Sequence, residues 1–247
     1  MTIYKILSFD FKNLQMNVII TGASKGIGKA IAFKFAAAGH DLFLCSRKEK
    51  ELKATANEIG IGYPKIRVMF LPADLSVKEE IISFANWCLQ NGTPGILINN
   101  AGVYLPGNTM DEPEGHLEMM MNTNLYSAYH LTRKLLPAMI KNGQGHIFNI
   151  CSIASLAAYD GGGGYSISKF AMHGLTKNLR HELKPLGIKV TGVYPGAVLT
   201  DSWGDFDNSN NRIMEGKDIA EMVYAATMLS PQAVVEEINI TPQLGEL

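Results

Sequence analysis

Tyr165 and Lys169 lie four residues apart in the run Tyr165-Ser-Ile-Ser-Lys169, and on a helix that spacing puts a phenol and an ammonium on one face within a turn of each other. A free phenol titrates near ~10, and a neighbouring cation favours its ionised form. In a partly desolvated cleft such a pair is suited to giving or taking a proton near neutral pH. The spacing is common on exposed helices, so its weight depends on what else stands beside it. Ser152 precedes Tyr165 by thirteen residues, next to Cys151, which reads as a buried strand residue. Gly161 to Gly164 run directly into the tyrosine and read as backbone freedom beside a substrate cleft.

A second chemistry-bearing stretch is Thr21-Gly22-Ala23-Ser24-Lys25-Gly26-Ile27-Gly28, which follows the apolar run Val18-Ile19-Ile20. Glycines between a strand and a helix allow a tight turn, let backbone amides approach a pyrophosphate, and let the helix pack closely on the sheet. The expected ligand is a dinucleotide. Where a non-phosphorylated adenosine ribose is bound, the second strand usually ends in an acid, but here it ends Leu44-Cys45-Ser46-Arg47-Lys48, with Asp41 at the wrong end. Arg47 offers a planar fork to a phosphate, Ser46 a hydroxyl and Lys25 a second cation. That set predicts NADP(H).

Positioning these groups requires alternating strands and helices. Strand-like runs near 17–21, 41–46, 66–71, 95–99, 145–151, 187–193 and 234–238 alternate with helical patterns near 26–38, 48–59, 76–90, 112–139, 165–184 and 217–229. The pattern predicts an α/β fold, a doubly wound parallel sheet of about seven strands covered by helices on both faces. It is read as one domain over 16–247, with residues 1–15 as an amino-terminal extension and the polar stretch 201–216 as a substrate lid. Ser76-Val-Lys-Glu79 has capping-box spacing, which gives Asp74 an ordinary explanation as a turn residue.

Taken together, Thr21 to Gly28, Asn99-Asn100-Ala101-Gly102, Ser152, Tyr165, Lys169 and Tyr194-Pro195-Gly196 resemble, in order, the motif set of the short-chain dehydrogenase/reductase family. The match runs from about Met16 to 200. The resemblance implies a Rossmann-type fold and hydride transfer between a nicotinamide and a carbonyl or alcohol. Tyr165 would be the acid/base; Lys169 would hold the nicotinamide ribose and stabilise the ionised phenol. Ser152 would donate to the substrate oxygen, and Asn124 in Met121-Asn-Thr-Asn-Leu125 would hold a relay water, with Asn122 as its rival. On the cofactor side, Gly22, Ser24, Lys25, Gly26, Ile27 and Gly28 would cradle the pyrophosphate, and Ser46 and Arg47 would meet the adenosine ribose. Asp74 and Leu75 would border the adenine, Asn100, Ala101 and Gly102 the adenosine side, and Pro195, Gly196, Val198 and Thr200 the nicotinamide.

Composition narrows the partners. The 247 residues are 47% apolar and 18% charged, with a net charge of -1, which suits a globular chain and supplies no field for nucleic acid or an anionic membrane. Cys45, Cys88 and Cys151 are scattered and odd in number, as expected of buried thiols in a reducing compartment. A cytoplasmic protein is expected, with no metal, since the six histidines show no ligand spacing. Homodimers or homotetramers are the family's habit, through the helices at 112–139 and 165–184. The carboxyl-terminal Thr241-Pro-Gln-Leu-Gly-Glu-Leu247 lacks the glycine-rich ending common in 3-oxoacyl thioester reductases, and looks closer to bacterial reductases similar to sepiapterin reductase. A small ketone or alcohol, pterin-like or a diketone, is the expected substrate, with Tyr159 and the lid's Trp203 and Phe206 placed to flank it. The alternatives are a 3-oxoacyl thioester reductase and, in another class, a non-catalytic NADP(H) sensor.

Overall fold

The computed structural model describes residues 15–200 and 203–246. The expected amino-terminal extension, apart from Gln15, and lid residues Asp201 and Ser202 lie outside them. β1 (Asn17–Thr21) turns Val18 and Ile20 into one half of the core and Ile19 into the other, because side chains alternate along a strand. The elements continue as α1 (Gly26–Ala37), β2 (Asp41–Ser46), α2 (Glu49–Gly62), β3 (Val68–Pro72), α3 (Lys78–Asn91) and β4 (Pro94–Asn99). After a long loop come α4 (His116–Met121), a π-helical turn (Asn122–Tyr126), α5 (Ser127–Asn142), β5 (Gly145–Ile150), α6 (Gly163–Leu183), β6 (Ile188–Pro195), α7 (Gly216–Thr227) and β7 (Glu237–Ile240).

The seven strands form one parallel sheet in the order β3-β2-β1-β4-β5-β6-β7. Ile31 and Phe35 of α1, Leu52 and Ile59 of α2 and Ile219 and Val223 of α7 cover one face. Ile81 and Phe84 of α3, Leu131 and Leu135 of α5 and Leu179 and Leu183 of α6 cover the other. Burying a side chain of this size contributes roughly 1.5–3 kcal/mol, so both layers are held firmly to the sheet. Strand order reverses between β1 and β4, and the crevice at their carboxyl ends is where such sheets bind ligands. This is the doubly wound Rossmann-type arrangement expected from the sequence.

Several local expectations need correction. The helix expected over 112–139 begins at His116, after Gly115 in the left-handed region at φ 87, and is interrupted by the π turn. α6 starts at Gly163, ahead of the expected 165. The capping box at Ser76 does not form: α3 begins after Val77 with no side-chain cap. Instead the Ser76 amide and hydroxyl donate to Asp74 Oδ1 at 3.0 and 2.7 Å, and Glu80 Oε2 accepts the Asp74 N–H at 2.6 Å. The later helix start turns Glu80 rather than Glu79 back toward the loop. β7 begins at Glu237 instead of near 234.

The three cysteines are buried and free. His146 is buried against Thr191 Oγ1 at 2.7 Å, and burial, with Lys189 nearby, lowers it to about 3, so it is a neutral core residue. No helix among the described residues is long and apolar enough to cross a membrane, and no group of three or more His, Cys, Asp and Glu side chains among them could hold a metal ion.

Candidate active site

The glycine turn is built as its sequence requires. Gly22 and Gly26 have φ of 65° and 55°, the left-handed region that side chains rarely adopt. A Cβ on Gly28 would collide with the Gly22 carbonyl and stand 2.5 Å from Asn100 Nδ2. Asn100 Nδ2 donates to Thr21 O at 2.8 Å, and Thr21 Oγ1 accepts the Asn100 and Ala101 N–H groups, each at 2.9 Å. The glycine turn and the end of β4 are therefore one unit. Lys25, extended, precedes α1 and makes no side-chain cap, and the first turn of α1 carries no acidic residue. A Cβ on Gly26 would stand 3.2 Å from Thr200 Cγ2, so the pyrophosphate-side and nicotinamide-side residues predicted from distant parts of the chain meet here.

At the tip of β2, Ser46 is buried and its Oγ has no hydrogen-bond partner. Arg47 Nη1 lies 3.9 Å from Asp74 Oδ2. Burial alone would raise the Asp74 carboxyl, but the Ser76 hydrogen bonds and the Arg47 charge outweigh it and hold the group low. The Leu75 side chain lies in the core on the α3 side. A phosphate group fits the residues at the tip of β2, where an exposed guanidinium follows directly on a hydroxyl that has no hydrogen-bond partner.

Lys169 is 5% exposed, with Nζ donating to Ile150 O at 2.9 Å and lying 5.7 Å from the Tyr165 ring centroid. Tyr165 is half-buried. Ser152 opens a short 3-10 turn in which its Oγ accepts the Ala154 N–H at 3.1 Å, a role that leaves its own hydrogen to be donated elsewhere. Asn124, 1% exposed, sits on the π turn, a feature frequent at functional sites. Its Oδ1 accepts the Val103 N–H at 2.7 Å, and its Nδ2 donates to Val103 O at 3.0 Å and Ser168 Oγ at 2.9 Å. A Cβ on Gly102 would stand 3.2 Å from Asn124 Oδ1 and 3.7 Å from Lys169 Nζ, so these two groups converge on that glycine. The Asn124 side chain thus braces the loop after β4.

The loop after β6, expected to meet the nicotinamide, is tied both to the 203–216 stretch expected to form a lid and to residues 240–246. Gly196 N–H donates to Ile240 O at 2.8 Å, Leu199 N–H to Met214 O at 2.8 Å, and Met214 N–H to Ala197 O at 3.1 Å. Glu246 Oε2 accepts the Ala197 N–H at 3.0 Å, and a Cβ on Gly196 would collide with this carboxylate. Arg212 donates to the Gly245 and Glu246 carbonyls at 2.9 and 3.0 Å. Trp203 N–H donates to Thr200 O at 3.0 Å, and its ring packs on Phe206 at 5.2 Å. Tyr159 stands on the Tyr104 and Tyr165 side, where it lines a cleft of about 590 Å³ with Asn108, Thr109, Ser166 and Phe170. Burial, with repulsion from and a hydrogen bond to Tyr104, pushes its phenol up, so Tyr159 remains neutral. The Trp203 and Tyr159 rings form no stacked or edge-on pair with each other among the described residues.

Sequence reasoning missed Tyr104, whose ring meets Tyr165 edge-on at 5.0 Å, and Glu112, Arg212 and Glu246. Tyr104 stands two residues after the Asn-Asn-Ala-Gly motif, which could have flagged it. The others carry no local pattern, because their partners lie 33 to 52 residues away.

With this geometry in hand, comparison with known proteins gives the family. The short chain dehydrogenase model matches residues 16–211, and the chain belongs to that family of oxidoreductases. A sepiapterin reductase of Chlorobaculum tepidum is 34% identical over 239 residues, covering 93% of this chain and 97% of that one. Among solved structures, an alcohol dehydrogenase from the archaeon Thermococcus sibiricus, complexed with 5-hydroxy-NADP, superposes with a TM-score of 0.88 at 25% identity, covering 95% of this chain and 99% of that chain. A metagenomic short-chain oxidoreductase in complex with NADP gives a TM-score of 0.81 at 30% identity over 92% of this chain and 97% of its own.

Proposed function

We propose that the protein is an NADP(H)-dependent oxidoreductase interconverting a small carbonyl compound and its secondary alcohol, with Tyr165 as the acid/base. The observation that carries this reading is the buried Lys169 ammonium, anchored on Ile150 O and standing 5.7 Å from the centroid of the half-buried Tyr165 ring. A cation so placed puts positive charge beside the phenol at which proton transfer is proposed. In reduction Tyr165 Oη gives its proton to the carbonyl oxygen, and in oxidation it takes the proton back. Ser152 donates a hydrogen bond to the same oxygen, stabilising the charge that develops there. Bound nicotinamide supplies or accepts the hydride. Gly22 to Gly28 with Asn100, Ala101 and Gly102 would hold the dinucleotide, Pro195 to Thr200 its nicotinamide end, and Ser46, Arg47 and Lys25 its 2'-phosphate. The orphaned Ser46 hydroxyl beside Arg47 supports the phosphorylated cofactor, as do the NADP-bound relatives.

For the substrate, a flat or pterin-like ketone is favoured by the sepiapterin reductase relative and by the Tyr104 and Tyr159 phenols flanking Tyr165. Oxidation of NADPH followed by absorbance with sepiapterin, simple diketones and acetoacetyl thioesters tests it. Turnover of thioesters alone would favour the 3-oxoacyl alternative. Binding of NADPH without turnover of any carbonyl would favour a sensor. We further infer a homo-oligomer, supported by exposed Tyr129 on α5 and Ile167 and Phe170 on α6; light scattering of a Phe170→Glu variant checks it.

A further inference from the structure

The glycine run before Tyr165 is not explained by backbone freedom. Only Gly161, at φ 75, occupies the left-handed region; Gly162 to Gly164 adopt conformations open to any residue. Packing is what excludes side chains. A Cβ on Gly163 would collide with the Gly107 carbonyl, and one on Gly164 would stand 2.8 Å from Met120 Cε, 2.9 Å from Glu112 Oε2 and 3.2 Å from Leu117 Cα. The absence of those side chains lets the 107–112 loop lie against the start of α6. Glu112 Oε2 then accepts the Gly164 N–H at 3.1 Å. α6 has no side-chain cap of its own at Gly162, and the first N–H groups of a helix have no partner within it. Glu112 supplies that acceptor, with a charge suited to the positive helix end.

We propose that Glu112 is a positioning residue for Tyr165, pinning the glycine-rich first turn of α6 so that the phenol is held in one place; the functional half of this rests on the reading of Tyr165 as the proton-transfer group. Tyr165 directly follows the amide that Glu112 holds. A turn that opens on two glycines loses the most entropy on ordering, so it frays unless something outside the helix ties it down. The same loop is braced at three further points. Gly107 N–H donates to Gly161 O at 3.0 Å, Gly161 N–H donates to Asn108 Oδ1 at 2.8 Å, and Tyr104 meets the Tyr165 ring edge-on. At its far end Asn124 clamps Val103 through both backbone groups. Loop and helix start therefore form one brace around the phenol.

Glu112→Ala and Glu112→Gln in the full-length protein test this. Displacing a reacting group by about 1 Å can cost up to about 100-fold, so Glu112→Ala is expected to lower kcat at least about tenfold, with the KM for NADPH within about twofold. Glu112→Gln, whose amide oxygen can accept the same N–H, is expected to recover most of kcat. Hydrogen exchange of the 160–168 segment should speed up in Glu112→Ala and stay near wild type in Glu112→Gln. A Glu112→Ala enzyme with unchanged kcat overturns the proposal, and so does equal damage in both variants together with a raised KM for NADPH. If instead Tyr165→Phe proves fully active, or the wild type turns over no carbonyl, the functional reading fails on its own account. The exchange measurement still decides whether Glu112 pins the turn, and unchanged exchange overturns the proposal in every case.

Discussion

Replacing Arg47 with Asp at the tip of β2 should reverse the cofactor preference, and the size of the change follows from what surrounds the site. Arg47 Nη1 lies 3.9 Å from Asp74 Oδ2, with the two side chains 64% and 32% exposed. The substitution removes the cation that would meet a 2'-phosphate and leaves two carboxylates facing it. A lost hydrogen bond to a charged group costs about 1.5–3 kcal/mol. Repulsion at about 4 Å adds between about 1 kcal/mol in bulk water and about 4 kcal/mol near a protein surface, and this degree of exposure points to the lower figure. NADH feels neither penalty, and a carboxylate at this strand tip can accept from its ribose hydroxyls. A loss of about 2.5–4 kcal/mol for NADPH alone corresponds to a change of roughly 60- to 1000-fold in the ratio of kcat/KM values for the two cofactors. The assay is steady-state kinetics with both cofactors and one carbonyl substrate at fixed ionic strength, because salt screens an exposed site. A ratio that moves by less than about fivefold would refute the assignment of Arg47 to the phosphate.

Tyr165→Phe should abolish turnover by about 100-fold or more while leaving NADPH binding intact, as measured by the quenching of protein fluorescence, since removing a general acid costs about 10²–10⁴-fold; near-normal turnover would remove the acid/base role. Arg212→Ala frees the carbonyls of Gly245 and Glu246, and the lid and chain end should become sensitive to limited proteolysis, with KM for substrate rising more than kcat falls; unchanged cleavage would count against the clamp. Acid should destabilise the fold through His146, which stays neutral down to about 3 in the native state. The unfolded chain takes up that proton below about 6.5, so stability falls as pH drops, by about 1.4 kcal/mol per pH unit between the two values. Urea denaturation at pH 7 and pH 4.5 checks this, and a His146→Gln variant, which can still bond Thr191, should show a shallower loss; an identical loss would assign the acid sensitivity to other groups. His40 and His173, both lowered chiefly by burial, keep some slope in that variant.

The amino-acid order alone determined what depends on near neighbours along the chain. The strand and helix alternation, the glycine turn, the phenol and ammonium one helical turn apart, and the missing acid at the β2 tip are all local patterns. Each follows from periodicity or from backbone conformations that only certain residues adopt. Boundaries were less legible. Gly163 and Gly164 read as backbone freedom ahead of a helix starting at 165, yet they begin α6; what requires glycine there is the packing of Gly107 and Glu112 across the fold. Only the tertiary structure decided which distant groups meet. Glu112 on the start of α6, Glu246 on the Ala197 N–H, Arg212 on the Gly245 and Glu246 carbonyls, Asn124 on Val103, and Thr200 beside Gly26 are such pairings. The crevice collects loops from many strand ends, and neither composition nor spacing encodes which of them touch.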